Sequence, residues 1–148
     1  MARIFVLLAG PLLPCLLLAQ TASAFEVKTC DDANVGVSEL VTPAAKFSRT
    51  FKDDKISVYE VDTVEPVCCS GGVAIVIPDV EDAQGGNKCL AVVGAASVQL
   101  DEAVATDEAE KGVLLTIPTK QFNEASDSVP GAPMKLRVDI DKGSVVAE

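Results

Sequence analysis

Histidine and tryptophan are absent from this 148-residue chain, and its aromatic residues are one Tyr and five Phe. Without His, neither a Ser-His-Asp nor a Cys-His catalytic unit can form, and no His-ligated zinc or copper site is possible. Positive charge is also scarce: Lys and Arg number 12 against 22 Asp and Glu, for a formal net charge of −10. Basic grooves and stacking aromatics hold nucleic acids, and the chain is poor in both, so no nucleic-acid partner is expected. Strong negative charge favours instead a protein partner with a basic surface.

Long apolar runs are confined to the start. Met1 to Ala24 has the layout of a secretory signal peptide, with Arg3 as its positive end and an uncharged stretch from Phe5 to Leu18. Ala22-Ser23-Ala24 supplies the small-x-small cleavage site. The apolar run is short and broken by Pro11 and Pro14, so no membrane span is expected. A lipidated Cys15 is disfavoured because Pro14 stands where a small residue is wanted. The protein is therefore expected to be secreted, either to the periplasm or to the outside. Residues 25–148 would form a single disulfide-stapled β domain, slightly more acidic once Arg3 has gone.

Cys15 would leave with the leader, so Cys30, Cys68, Cys69 and Cys89 remain, an even set suited to two disulfides. Joining the neighbours Cys68 and Cys69 needs a strained ring and is disfavoured. The other two arrangements join Cys30 and Cys89 to the Cys68-Cys69 pair, in either order, each bridge closing a loop of roughly 20 to 40 residues. A thiol-redox or soft-metal centre at Cys68 and Cys69 is the competing reading. Redox pairs are usually spaced Cys-x-x-Cys beside a helix N-terminus, and no basic residue lies close in sequence to stabilise a thiolate. Structural bridging is favoured.

The rest reads as short strands and turns. Leu136, Val138 and Ile140 alternate with Lys135, Arg137, Asp139 and Asp141 across Met134 to Asp141, the pattern of a strand with one wet face. Lys46 to Phe51 and Lys55 to Val61 flank Lys52-Asp53-Asp54 as a hairpin. Val73 to Ile77 and Leu90 to Val93 are unbroken apolar runs suited to central strands. Phe25 to Thr29, Ala96 to Leu100 and Val113 to Ile117 are further strands. Gly72-Val73 leading to Ile77-Pro78 is echoed by Gly112-Val113 leading to Ile117-Pro118. Asp101 to Lys111, rich in Ala and Glu and stopped by Gly112, predicts a short surface helix. Asp79 to Lys88 and Gln121 to Pro133 read as loops. The fold expected is mainly β, a small antiparallel sandwich or barrel with one short surface helix and two disulfides.

Candidate sites are few. Asp139 and Asp141, with Gly143 behind them, could offer oxygen ligands to calcium, although Asp141-Lys142-Gly143 is more simply a turn. Adjacent acids at Asp31-Asp32, Asp53-Asp54, Asp101-Glu102 and Asp107-Glu108 read as a solvated surface. Ser70-Gly71-Gly72 lacks the nucleophile-elbow pattern, and Gly85-Gly86-Asn87 lacks the following Lys-Ser/Thr of a phosphate loop and reads as a turn. No cofactor and no catalytic residue is expected. Function is expected to lie in an acidic surface, in strand edges and in the two loops, acting on a protein partner. A calcium-binding module and a thiol-redox or soft-metal protein are the alternatives.

Overall fold

A computed structural model of the protein describes residues 25–64 and 69–148. The expected leader, Cys15 and Cys68 lie outside the described residues. Period-two alternation of aliphatic and polar residues marks strands such as 134–139, and unbroken apolar runs mark the interior ones at 73–77 and 90–93. The strands are β1 (Lys28–Thr29), β2 (Ser48–Phe51), β3 (Ile56–Asp62), β4 (Gly71–Pro78), β5 (Asn87–Ala95) and β6 (Ser97–Val98). Following them are β7 (Val104–Glu108), β8 (Gly112–Ile117), β9 (Thr119–Phe122), β10 (Ser128–Pro130), β11 (Met134–Asp139) and β12 (Ser144–Ala147). All pairings are antiparallel, in sheets ordered β1-β5-β4-β3-β2, β12-β11-β8-β7 and β10-β9-β6. Among the described residues, no sheet closes into a barrel.

The two larger sheets share one core. Ile56 and Val58 of β3, Val73, Ile75 and Ile77 of β4 and Val92 of β5 supply one side. Val113, Leu115 and Ile117 of β8 with Met134, Leu136 and Val138 of β11 supply the other. The opposite face of the first sheet is covered too, by a smaller cluster of Cys30, Val35, Val61, Ala74 and Ala91. Coverage on both faces explains why the runs 73–77 and 90–93 lack a polar alternate.

Each of the echoed segments is an interior strand of its own sheet. β4 lies between β3 and β5, and β8 between β11 and β7. Each opens on a glycine that a neighbouring strand presses against. A Cβ on Gly72 would sit 2.2 Å from the Val92 carbonyl oxygen, and one on Gly112 (φ +86°) would sit 2.3 Å from that of Val138. No side chain fits at either place.

Two expectations are corrected. The stretch predicted as a helix forms only a 3-10 turn at Leu100–Glu102 and then strand β7. Its Ala and Glu content favours a helix, but it has no apolar stripe to bury, whereas pairing Val104 to Glu108 with β8 satisfies that strand's open edge. The disulfides differ as well. One is found among the described residues, Cys30–Cys89, not the two expected from these positions to Cys68 and Cys69. Register explains it: Thr29 pairs with Leu90, and the Cys30 amide donates to the Cys89 carbonyl at 3.1 Å, so the two cysteines lie side by side. Cys69 is engaged with neither of them. A disulfide suits an oxidising, extracellular-type environment. Among the described residues, no helix is long and apolar enough to cross a membrane.

The Cys30–Cys89 bridge spans a sequence separation of 59. Replacing both residues with Ser should therefore cost about 4 kcal/mol in the chain-entropy model. Urea unfolding of the oxidised protein and the double variant measures it. A loss below about 1 kcal/mol would contradict a bridge that restrains the unfolded chain.

Candidate functional site

Hairpin geometry gathers four turns at one end of the layered pair. The registers Phe51↔Ile56, Pro78↔Asn87, Glu108↔Gly112 and Asp139↔Ser144 close there, leaving 52–55, 79–86, 109–111 and 140–143 as the connections. Two contacts confirm that these turns are neighbours. Lys52 pairs with Asp107 at 2.8 Å, and the Lys88 ammonium donates to the Gly143 carbonyl at 2.9 Å. Acids dominate this end: Asp53, Asp54, Asp79, Glu81, Asp82, Glu110 and Asp141 all lie on the turns, and none is buried.

The turns are held by their own polar groups. Lys52, Asp53 and Asp54 occupy three successive left-handed conformations (φ 56°, 52° and 62°), and Glu110 another (φ 67°). Asp82 accepts from the Gln84 and Gly86 amides at 2.9 and 3.0 Å, and Asp79 from the Glu81 amide at 3.1 Å. A cleft of about 470 Å³ opens between the turns, floored by Val113, Val138 and Ile140. The two predicted calcium ligands both line this cleft, but they are not equally free. Asp139 accepts from the Lys142 amide at 3.1 Å and from its ammonium at 2.6 Å, and the ammonium holds its carboxyl below the usual range. Asp141 is exposed on the turn. Among the described residues, no grouping of three or more acids or cysteines could hold a metal ion.

The other predicted features are scattered. The segment 121–133, expected as a loop, lies at the opposite end and contains the end of β9 and the whole of β10, joined by a turn in which Asn123 accepts from the Ala125 and Asp127 amides at 2.9 and 2.8 Å. Ser70 faces an acidic side chain. It hydrogen-bonds the Asp62 carboxylate, which is the main reason that acid is held low. Cys30 and Cys89 serve the bridge, and Cys69 is not a free thiol.

A second cleft, of about 620 Å³, lies at that opposite end between β2–β3 and the segment 97–101 with β9. Its notable residue escaped the sequence reading. Glu60 is in phase with Ile56 and Val58, so it stands on the inward face, half-buried, without an ion pair or side-chain hydrogen bond among the described residues. The visible signal was the strand Ile56–Asp62 itself, where an acid falls on the apolar beat. Burial, followed by repulsion from Asp101 and Asp62, pushes the Glu60 carboxyl above its ordinary value. In the same cleft Arg49 ties β2 to the 3-10 turn, donating to the carbonyls of Leu100, Asp101 and Ala103 at 3.2, 3.1 and 2.6 Å.

No protein-family model, curated protein or solved structure matches the chain.

Because the folded protein holds the Glu60 proton more tightly than the unfolded chain does, this group favours folding in acid. The contribution fades as pH rises through its raised value. Glu60→Gln should therefore melt higher than the wild type at neutral pH, and the gap should close below the ordinary carboxyl range. Melting temperatures across pH test this. A glutamine variant that is less stable at neutral pH would mean that the carboxylate has a favourable partner.

Proposed function

We propose that the protein is a secreted or periplasmic, non-catalytic binding domain, built as a small β-sandwich, that engages a protein partner with a basic surface. The observation that carries this reading is the acidic end: four turns from both larger sheets bring Asp53, Asp54, Glu81, Glu110 and Asp141 to one exposed surface. Fewer bases stand among them, and two of these, Lys52 and Lys142, are spent on Asp107 and Asp139. Loops organised by their own side chains on a packed scaffold lose little freedom on binding, so charge complementarity can act without an ordering penalty.

This mode of recognition acts by long-range attraction, with the acidic turns steering a basic surface into contact. The signal-like leader and the bridge between Cys30 and Cys89 support an extracellular or periplasmic setting. The partner class is defined by charge: a folded protein or a tail presenting clustered Lys and Arg.

Capture experiments with the native, oxidised protein test the reading. A variant carrying Asp53→Asn, Asp54→Asn, Glu81→Gln and Glu110→Gln keeps the turn conformations, because Asn tolerates the left-handed region as Asp does. Basic proteins retained by the wild type from its own extracellular fraction should be lost by the variant. They should also elute as salt approaches 1 M, where the screening length falls to about 3 Å. Equal retention by both proteins, or turnover of a substrate by the purified protein, would overturn it.

A further inference from the structure

The cleft opposite the acidic end holds two oppositely charged side chains that do not meet. Glu60 of β3 and Lys120 of β9 both line it, both are half-buried, and neither has an ion pair or side-chain hydrogen bond among the described residues. Two opposite charges that line one cavity without meeting leave both positions open to a ligand of complementary charge. The neighbouring groups do not fill them. Arg49 is committed to three backbone carbonyls. Lys46 stands exposed at the rim, its ammonium 5.3 Å from the centroid of the Phe47 ring. Asp101 adds a second negative group, which repels Glu60.

We propose that this cleft binds a small zwitterion of the amino-acid type, its ammonium group between Glu60 and Asp101 and its carboxylate on Lys120. A ligand carrying only an amine would settle Glu60 and leave Lys120 bare, and one carrying only a carboxylate would do the reverse. A single molecule bearing both satisfies the two together, through charge-assisted hydrogen bonds. Phe47 supplies an apolar wall over which a ring or aliphatic side chain can lie. At about 620 Å³ the cleft falls within the size of small-molecule sites, which combine apolar lining with a few convergent polar groups. The site is independent of the acidic turns and of any protein that docks on them.

Titration calorimetry on the native, oxidised protein, with L-phenylalanine, phenethylamine and 3-phenylpropionate as probes, tests the assignment. The three share a ring and differ only in which charged group is present. Phenylalanine should bind at least about tenfold more tightly than either analogue, since each analogue leaves one half-buried charge unmet. Glu60→Gln should abolish the advantage of phenylalanine over 3-phenylpropionate, and Lys120→Met its advantage over phenethylamine. Amide spectra of each variant confirm the fold before titration, and the comparison of the three probes on the wild type stands without any variant. Equal binding of all three, or no binding at millimolar concentration, would overturn the proposal. So would discrimination that survives both substitutions, or a Glu60–Lys120 ion pair that closes the cleft in solution.

Discussion

The structure depends on one contact, the meeting of two aliphatic rows between the larger sheets. Ile56, Val58, Val73, Ile75, Ile77 and Val92 face Val113, Leu115, Ile117, Met134, Leu136 and Val138, all almost wholly removed from solvent. Each such side chain contributes about 1.5–3 kcal/mol when fully buried. Strand alternation then forces polar residues to the outer faces and the ends. Glycines at positions 72 and 112 let neighbouring strands close against the openings of β4 and β8, where any side chain would collide with a carbonyl. Outside the core, Arg137 reaches from β11 to Glu108 of β7 at 3.0 Å and also pairs with Glu148, tying the sheet across its outer face.

Much of this pattern can be read from the chain. The hairpin around Lys52-Asp53-Asp54 and the alternating strand from Met134 are written in local periodicity, and the interior strand near Val73 in an unbroken apolar run that burial on both faces permits. What failed depends on strand pairing rather than on local composition. Asp101 to Lys111 has helical composition, yet its conformation is decided by the open edge of β8. The Cys30–Cys89 pairing follows from the register between β1 and β5, which no local feature of the sequence encodes. Of the candidate surfaces, the loop expected at 79–88 supplies the turn 79–86 of the acidic end, but nothing in the sequence announces that three other turns join it. Glu60 was legible in principle, as an acid on the apolar beat of Ile56 and Val58, and acquires meaning only in a cleft that Lys120 also lines.

The two ends of the molecule thus carry different chemistry on one scaffold. At one, turns fixed by their own carboxylates and amides present negative charge to solvent, where it acts at a distance and is weakened by salt. At the other, charges of both signs stand half-buried in a cleft, where interactions are short-ranged and less screened. The long core between them allows either end to change without disturbing the other, since distant sites without shared partners contribute independently.

The central claim is that recognition resides in the acidic turns. The most direct measurement is a residue-resolved amide spectrum of the native protein during titration with a short oligolysine peptide. The account predicts shifts concentrated in 52–55, 79–86, 109–111 and 140–143 that disappear at high salt. Shifts spread evenly over the surface, or confined to the opposite end near Phe47 and Leu100, would contradict it.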